Sequence, residues 1–157
     1  MKPRMEKRDA FRVIGVEDDA AKISGEDPGF GKLWMERYMP QSKEIEPYSS
    51  DGAAYGVFFN TKGTDLTGGC YIAGASVRAD APLPEGWVLR EIPAAEYAVF
   101  DTTLREIGDT SDEALDKWLP NSEFEQDTTK ARFDYHPPGT TGQESPVSVW
   151  IPVKQKK

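Results

Sequence analysis

Cysteine and histidine are almost absent from this chain of 157 residues, which contains one of each, Cys70 and His136. A single cysteine excludes an intrachain disulfide and favours a reducing, cytoplasmic location. One cysteine and one histidine far apart in sequence also fail to supply the clustered ligands that a metal ion needs. We therefore expect neither a metal site nor a Cys–His catalytic dyad.

Long apolar runs and an excess of basic residues are also absent. No stretch approaches the ~18 apolar residues of a membrane span, and the charged residues 1–9 do not resemble a signal peptide. The net charge of −8 opposes direct binding to nucleic acid but suits cationic ligands. No phosphate loop, dinucleotide fingerprint or serine-nucleophile motif is found, so we expect no cofactor and assign no catalytic residue.

Aromatic residues, in contrast, are abundant. They make up 11% of the chain and include four tryptophans, while 12 prolines and 14 glycines indicate many turns. A chain of this length forms one domain with a substantial core. Such a core does not need so many rings, and we expect some of them to face a ligand.

Hydrophobic patterning gives the order of the elements. Apolar residues at helical spacing predict a helix over 30–39, ended by Pro40, and a second helix with a capping box at Thr110 and Glu113, ended by Pro120. The ends, 1–9 and 154–157, read as polar tails. Runs of β-branched and aromatic residues predict strands at 11–16, 55–59, 70–77, 87–90, 96–103, 132–135 and 147–153.

The order strand–helix–strand–strand occurs twice, in halves 10–80 and 86–154, with one extra strand at the join. The corner Ile92-Pro93-Ala94-Ala95 opens the second half. We predict a single α+β domain, residues 1–157, built of duplicated βαββ units that form two antiparallel sheets with one helix each. Docking of the halves would leave a central groove suited to a ligand.

Seven segments carry a family resemblance that covers nearly the whole chain after Ala10. They read LWMERYMP (33–40), YGVF (55–58), YIAG (71–74), IPAAEYAVF (92–100), WLPNS (118–122), RFD (132–134) and WIPV (150–153). Together they resemble the GyrI-like small-molecule-binding domain, also called the AraC-type or transcription-activator effector-binding domain. The resemblance implies a duplicated βαββ fold whose groove binds bulky aromatic, often cationic compounds through rings and a buried acid.

The same resemblance implies several cellular roles. Members occur fused to DNA-binding domains in multidrug-sensing regulators or as stand-alone proteins; some relatives hydrolyse cyclopropane-containing toxins, and one inhibits DNA gyrase. With no helix-turn-helix extension, this chain looks like the stand-alone form. Relatives often have glutamates where this chain has Ser76, Ala131 and Ser148. The loss of these carboxylates weakens the enzyme hypothesis most.

Candidate ligand contacts are nine rings and two polar residues. At any single position core packing is the more frequent role of a ring, but a ligand-facing subset is expected. For each of the acids Glu36, Glu91, Glu96, Asp101 and Asp134 a surface position is favoured; we prefer Asp101 as the groove acid because it shares a strand face with Tyr97 and Val99. The predicted set is Trp34, Tyr38, Tyr55, Tyr71, Trp87, Tyr97, Asp101, Trp118, Phe133, Ser148 and Trp150.

Three functions fit these observations. The leading hypothesis is a stand-alone binding protein that holds a hydrophobic, aromatic molecule, cations included, as a sensor or by sequestration. The second is a hydrolase in the same groove, with an acid that activates water. The third is a protein-interaction module similar to a gyrase inhibitor. Expected partners are thus the small molecule and a transcription- or gyrase-related protein, or a second copy in a homodimer.

Overall fold

The computed structural model describes residues 2–26 and 29–156, which form nine strands in a mainly antiparallel α+β fold. All seven predicted strands are present; β3 begins six residues before the predicted start, at Ser49, and the others lie within about three residues of their expected bounds. Two more strands, β1 and β7, were not predicted. The strands are β1 (Arg4–Arg8), β2 (Phe11–Asp19), β3 (Ser49–Phe59), β4 (Cys70–Val77), β5 (Val88–Ile92), β6 (Ala95–Thr103), β7 (Phe124–Gln126), β8 (Arg132–His136) and β9 (Pro146–Gln155).

The helical segments depart from regular α-geometry. A short helix, α1 (Ala20–Ser24), follows β2; α2 (Phe30–Leu33) then continues through a π-helical turn, Trp34–Tyr38, and a 3₁₀ turn, Met39–Glu44. Likewise α3 (Ile107–Glu113) continues through Ala114–Trp118 and Leu119–Asn121. We call these two continuous stretches the first helical segment (30–44) and the second helical segment (107–121). In the described part of the chain, no helix is long and apolar enough to cross a membrane.

Two helix boundaries differ from the prediction. Pro40 does not end the first segment, because it lies in the first turn of the 3₁₀ stretch, where a missing backbone N–H leaves no hydrogen bond unmade. The capping box is wrong as well, since Thr110 lies within α3 and its hydroxyl bonds that of Thr102 at 2.8 Å.

The sheet closes on itself. β1 pairs with β6 and β2 pairs with β5 in one continuous register, with Arg8 opposite Ala95 and Phe11 opposite Ile92. Because β1 runs into β2 and β5 runs into β6, these act as two long bent strands paired side by side. The remaining order, β6-β9-β8-β3-β4-β2, joins their other edges, so the strands form a ring.

The ring replaces the two separate sheets that the sequence predicted. The halves are joined by backbone pairing, through β3–β8 in the middle and through the long bent strands at the other side. Two narrow sheets would leave backbone N–H and C=O groups without hydrogen-bond partners at their edges. Pairing of the strands between the halves satisfies these groups, whereas docking of two sheets would not. The predicted polar tails are also corrected. Arg4–Arg8, in the predicted N-terminal tail, is a paired strand, and β9 extends to Gln155, into the predicted C-terminal tail.

Three apolar clusters divide the core. The inside of the ring holds rings and aliphatic side chains from both halves, including Tyr55, Tyr97 and Phe133, all fully buried. Outside the ring, the first helical segment packs through Leu33 on β2 and β4, and the second packs through Leu115 on β6 and β9. Apolar side chains of both halves therefore pack inside the ring, and both helical segments pack against its outside.

Candidate functional site

A cavity of about 870 Å³ lies outside the ring, between the first helical segment and the loop that follows β8. The helical segment contributes Trp34 and Tyr38 to its wall, and the loop contributes residues 137–141. His136 and Leu104 complete the C-terminal side. Both halves of the chain therefore line the cavity.

Trp34 organises this cavity. Its indole Nε1 donates a hydrogen bond of 2.8 Å to the Tyr71 hydroxyl, and its ring stacks on His136 with centroids 5.5 Å apart. It also meets Tyr38 edge-to-face at 4.9 Å. The indole is held on three sides and presents its remaining half-buried surface to the cavity.

The back of the cavity is buried, whereas its rim is exposed to solvent. Tyr38 is backed by the buried Trp87, whose ring stacks on it at 5.4 Å, and burial raises the pKa of Tyr38 to about 12. At the rim, Met35 and Met39 are 70% and 58% exposed. Two exposed methionines one turn apart give a rim of flexible, polarisable side chains that can adapt to different ligand shapes.

Beneath Trp34 lies a polar face of β8. Arg132, Asp134 and His136 alternate with the interior residues Phe133 and Tyr135 and so point outward. The Oδ1 atom of Asp134 and the Nε atom of Arg132 are shielded from solvent and have no hydrogen-bond partner. Burial raises the pKa of Asp134 to about 6, against the attraction of Arg132, and burial lowers the pKa of His136 to about 4.

A second depression, of about 700 Å³, lies at the turn between β1 and β2. It is lined largely by charged side chains of both signs, among them Lys7, Arg12 and Glu91. It lacks the aromatic wall of the first cavity and fits an apolar ligand less well.

Comparison with known proteins assigns the chain to a family. The family model described as Cass2, integron-associated effector binding protein, matches residues 4–153. The chain belongs to this family. The match confirms the resemblance to GyrI-like effector-binding domains that the sequence motifs indicated.

Relatives of this Cass2-family chain include a regulator and two solved structures. The transcriptional regulator BrlR of Pseudomonas aeruginosa is 35% identical over 102 residues, which is 64% of this chain and 34% of the regulator's own length. SAV2435 bound to tetraphenylphosphonium superposes with a TM-score of 0.74 at 13% identity, covering 98% of this chain and 94% of that one. The integron cassette protein VCH_CASS2 of Vibrio cholerae gives 0.64 at 19% identity, covering 98% and 97%. The structural likenesses show the fold.

Four of the predicted contacts lie at or next to the cavity of this Cass2-family protein. Trp34 and Tyr38 line it, Tyr71 holds Trp34, and Trp87 backs Tyr38. Their role in binding stays a prediction.

The other predicted contacts lie elsewhere. Tyr55, Tyr97 and Phe133 are fully buried inside the ring, where Trp150 stacks on Phe133 at 5.2 Å and donates a hydrogen bond to Ser148. As predicted, these residues lie on one face of their strands. That face points to the packed inside of the ring and not to the cavity. Sequence periodicity separates the two faces of a strand without showing which face meets the cavity.

Two further predicted contacts are also distant from the cavity. Trp118 belongs to the second helical segment and packs between Phe100 and Phe124. Asp101 is 70% exposed and forms an ion pair with Arg4 of β1, so the structure does not bring the preferred acid to the cavity.

The acid that lines the cavity is Glu46, which sequence reasoning did not consider. Asp134, for which a surface position was favoured, lies on β8 next to His136 but does not line the cavity. His136, Met35 and the loop 137–141 were also missed as lining residues. One sequence pattern could have indicated Asp134 and His136: together with Arg132 they occupy alternate positions of β8, on the face opposite the apolar Phe133. A polar strand face in the middle of a sheet indicates a site when a helix covers it.

Proposed function

We propose that this protein binds hydrophobic, aromatic small molecules in the cavity between the first helical segment and the loop 137–141, and acts as a sensor or by sequestration. The observation that carries the proposal is the half-buried face of Trp34, held by Tyr71 and His136 and turned toward about 870 Å³ of space. That volume lies in the range of ordinary small-molecule sites, roughly 300–1,000 Å³.

The chemistry of the wall supports this ligand class. Trp34 and Tyr38 offer ring faces on which a flat group can stack, and Met35 and Met39 add adaptable apolar surface. Aromatic cations belong to the class, since a ring face attracts positive charge. SAV2435, which shares the fold, has been solved bound to tetraphenylphosphonium, an aromatic cation.

Two finer points extend the proposal. The strand order reads alike from both ends of the path, with β1 beside β6 and β5 beside β2, which supports two copies of one βαββ unit. Because BrlR is a transcriptional regulator, we infer that occupancy of the cavity is passed to transcription through a partner protein or a second copy of this chain.

Intrinsic fluorescence tests the proposal directly. Tetraphenylphosphonium and neutral triphenylmethanol are titrated into the wild-type protein, and saturable quenching is expected for both. Trp34→Phe should remove most of the change, because the tryptophan at the cavity wall is the one that a ligand contacts.

The matched control is Trp118→Phe, which replaces a tryptophan packed away from the cavity between Phe100 and Phe124. It should keep the wild-type quenching amplitude. Equal quenching in wild type and Trp34→Phe, or no saturable response to any ligand, would remove this cavity as the binding site.

A further inference from the structure

The helical side of the cavity contains a polar corner formed by Tyr38 and Glu46, both of which line it. Tyr38 ends the π-helical turn of the first helical segment, and Glu46 opens the 3₁₀ turn Glu46–Tyr48 that follows this segment. Burial raises the pKa of Tyr38 to about 12, and the negative charge of Glu46 acts in the same direction. The hydroxyl and the carboxylate therefore lie close enough for one ligand group to reach both.

The hydrogen-bonding capacity of this corner is not used within the described part of the chain. Only 8% of Tyr38 is exposed, yet its hydroxyl makes no hydrogen bond to another described residue. Glu46 forms no salt bridge with any described residue. A buried hydroxyl without a partner is costly, so a ligand that donates a hydrogen bond here gains affinity.

The charge of the cavity wall has one sign. Among the described residues that line it, Glu46 alone is charged at neutral pH, because burial lowers the pKa of His136 to about 4 and leaves that ring neutral. Arg37 of the same segment and Arg78, whose backbone N–H bonds Tyr48, do not line the cavity, and each is paired with an aspartate. The wall therefore favours a ligand with a positively charged group at Glu46.

The backbone around Glu46 fixes the corner in place. Ile45 is 1% exposed and packs in the same apolar cluster as Tyr38, and its carbonyl accepts a 2.8 Å hydrogen bond from the Tyr48 N–H. Glu46 itself is exposed, so a charged group bound there keeps water on its outer side. This position avoids most of the desolvation cost that a fully buried ammonium group would carry.

We propose that the preferred ligands are aromatic amines that are protonated at neutral pH and carry at least one N–H. The aromatic part lies against Trp34, and the ammonium group donates hydrogen bonds to the Glu46 carboxylate and the Tyr38 hydroxyl oxygen. A charge-assisted hydrogen bond is about twice as strong as a neutral one, whereas a quaternary cation without an N–H gains only the screened attraction of an exposed carboxylate. This inference rests on the binding function proposed above and specifies its ligand class.

Three naphthalene compounds that differ in one substituent test it by calorimetry on the full chain at neutral pH. They are 2-naphthylmethylamine, its N,N,N-trimethylammonium derivative and 2-naphthylmethanol. The amine should bind about tenfold more tightly than either of the others, because it alone combines a positive charge with N–H donors.

Two variants assign this preference to the corner. Glu46→Gln keeps the size of the side chain and removes its charge, so it should lower the affinity for the amine about tenfold and that for the trimethylammonium compound at most about threefold. Tyr38→Phe keeps the ring beside Trp34 and removes only the hydroxyl, so it should weaken the amine about threefold and leave the trimethylammonium compound unchanged.

The matched control is Glu44→Gln. Glu44 is an exposed carboxylate two residues before Glu46 that does not line the cavity. Its loss changes the net charge of the protein by the same amount, and all three affinities should stay within about twofold of wild type.

The outcomes separate the two proposals. Equal binding of the amine and the trimethylammonium compound in wild type would overturn the ligand class and leave the binding function intact. An equal loss for both cations in Glu46→Gln would do the same, because it would show charge attraction without a hydrogen bond. No binding of any of the three compounds would overturn both proposals.

Discussion

Asp134 shows how a buried carboxyl group can weaken the fold. Its folded pKa of about 6 lies above the ordinary carboxyl value of 3.8, so the folded state binds the proton more tightly than the unfolded chain. Stability from this group is complete below pH ~4 and is lost as the pH rises through about 6. At pH 8 the ionised carboxylate carries the whole cost.

Asp134→Asn should therefore stabilise the protein at pH 8 by about 1–3 kcal/mol, because a shift of one pKa unit corresponds to about 1.4 kcal/mol. Near pH 4 the difference between variant and wild type should vanish. Urea unfolding at the two pH values measures it. Asp80→Asn, at an exposed surface pair, should stay within about 0.5 kcal/mol throughout. A stabilisation that is equal at both pH values would contradict the assignment of the shift to Asp134.

Gly56 is required by the packing of Tyr71. A Cβ at this position would overlap the Tyr71 hydroxyl and lie 3.0 Å from its Cζ atom. Gly56→Ala should push the ring aside, break its bond to Trp34 and cost about 1–3 kcal/mol of unfolding free energy. In Gly108→Ala, at an open helical position, the added methyl meets nothing within 4 Å and should be neutral or stabilising by up to ~1 kcal/mol. Thermal unfolding of the two variants gives the comparison, and equal effects would refute it.

At the scale of elements, one arginine of β1, Arg8, joins this strand to the aromatic rings inside the ring of strands. The Arg8 guanidinium lies 3.9 Å from the Phe11 centroid and donates a 2.6 Å hydrogen bond to the Tyr55 hydroxyl, which in turn donates to Asp51. The rings of Phe133 and Trp150 lie 5.4 and 5.6 Å away. A cation thus caps the open end of an aromatic interior.

Arg8→Met should cost about 1–3 kcal/mol, since it removes a cation over several rings and a partly buried hydrogen bond while keeping an apolar stem. Arg4→Met is the matched control on the same strand. Its ion pair with Asp101 is solvent-exposed, so its loss should cost less than about 1 kcal/mol. The midpoints of denaturant unfolding, at unchanged slopes, measure both losses of stability. Equal losses would show that the rings around Arg8 do not hold β1 in place.

The elements also show what the sequence could predict. Strands such as β4 and β9 bury apolar side chains and were recognised from that pattern. β1 reads Arg-Met-Glu-Lys-Arg and has no apolar periodicity. It forms because its backbone pairs with β6 and because aromatic rings surround Arg8. Trp34 and Tyr38 were found from helical spacing. Asp134 was not, because its burial depends on a helix placed over β8 by the tertiary fold.

At the scale of the molecule, the ring makes each half depend on the other. The interior combines Val13, Tyr55 and Ile72 from the N-terminal half with Tyr97 and Phe133 from the C-terminal half. β1 finds its partner β6 only in the other half, and β5 finds β2 in the same way. An isolated half would expose this aromatic face and leave these strands unpaired.

We therefore expect that a chain split in the loop between β4 and β5, into residues 1–82 and 83–157, folds only when both pieces are present. Each fragment alone should unfold without a cooperative transition. An equimolar mixture should recover the cooperative transition and the near-ultraviolet signal of the packed rings, because pairing of the long bent strands and burial of the shared interior occur together. Circular dichroism during urea titration of each fragment and of the mixture measures this. A cooperative transition in residues 1–82 alone would show that the N-terminal half forms its own sheet, as two separate sheets would require.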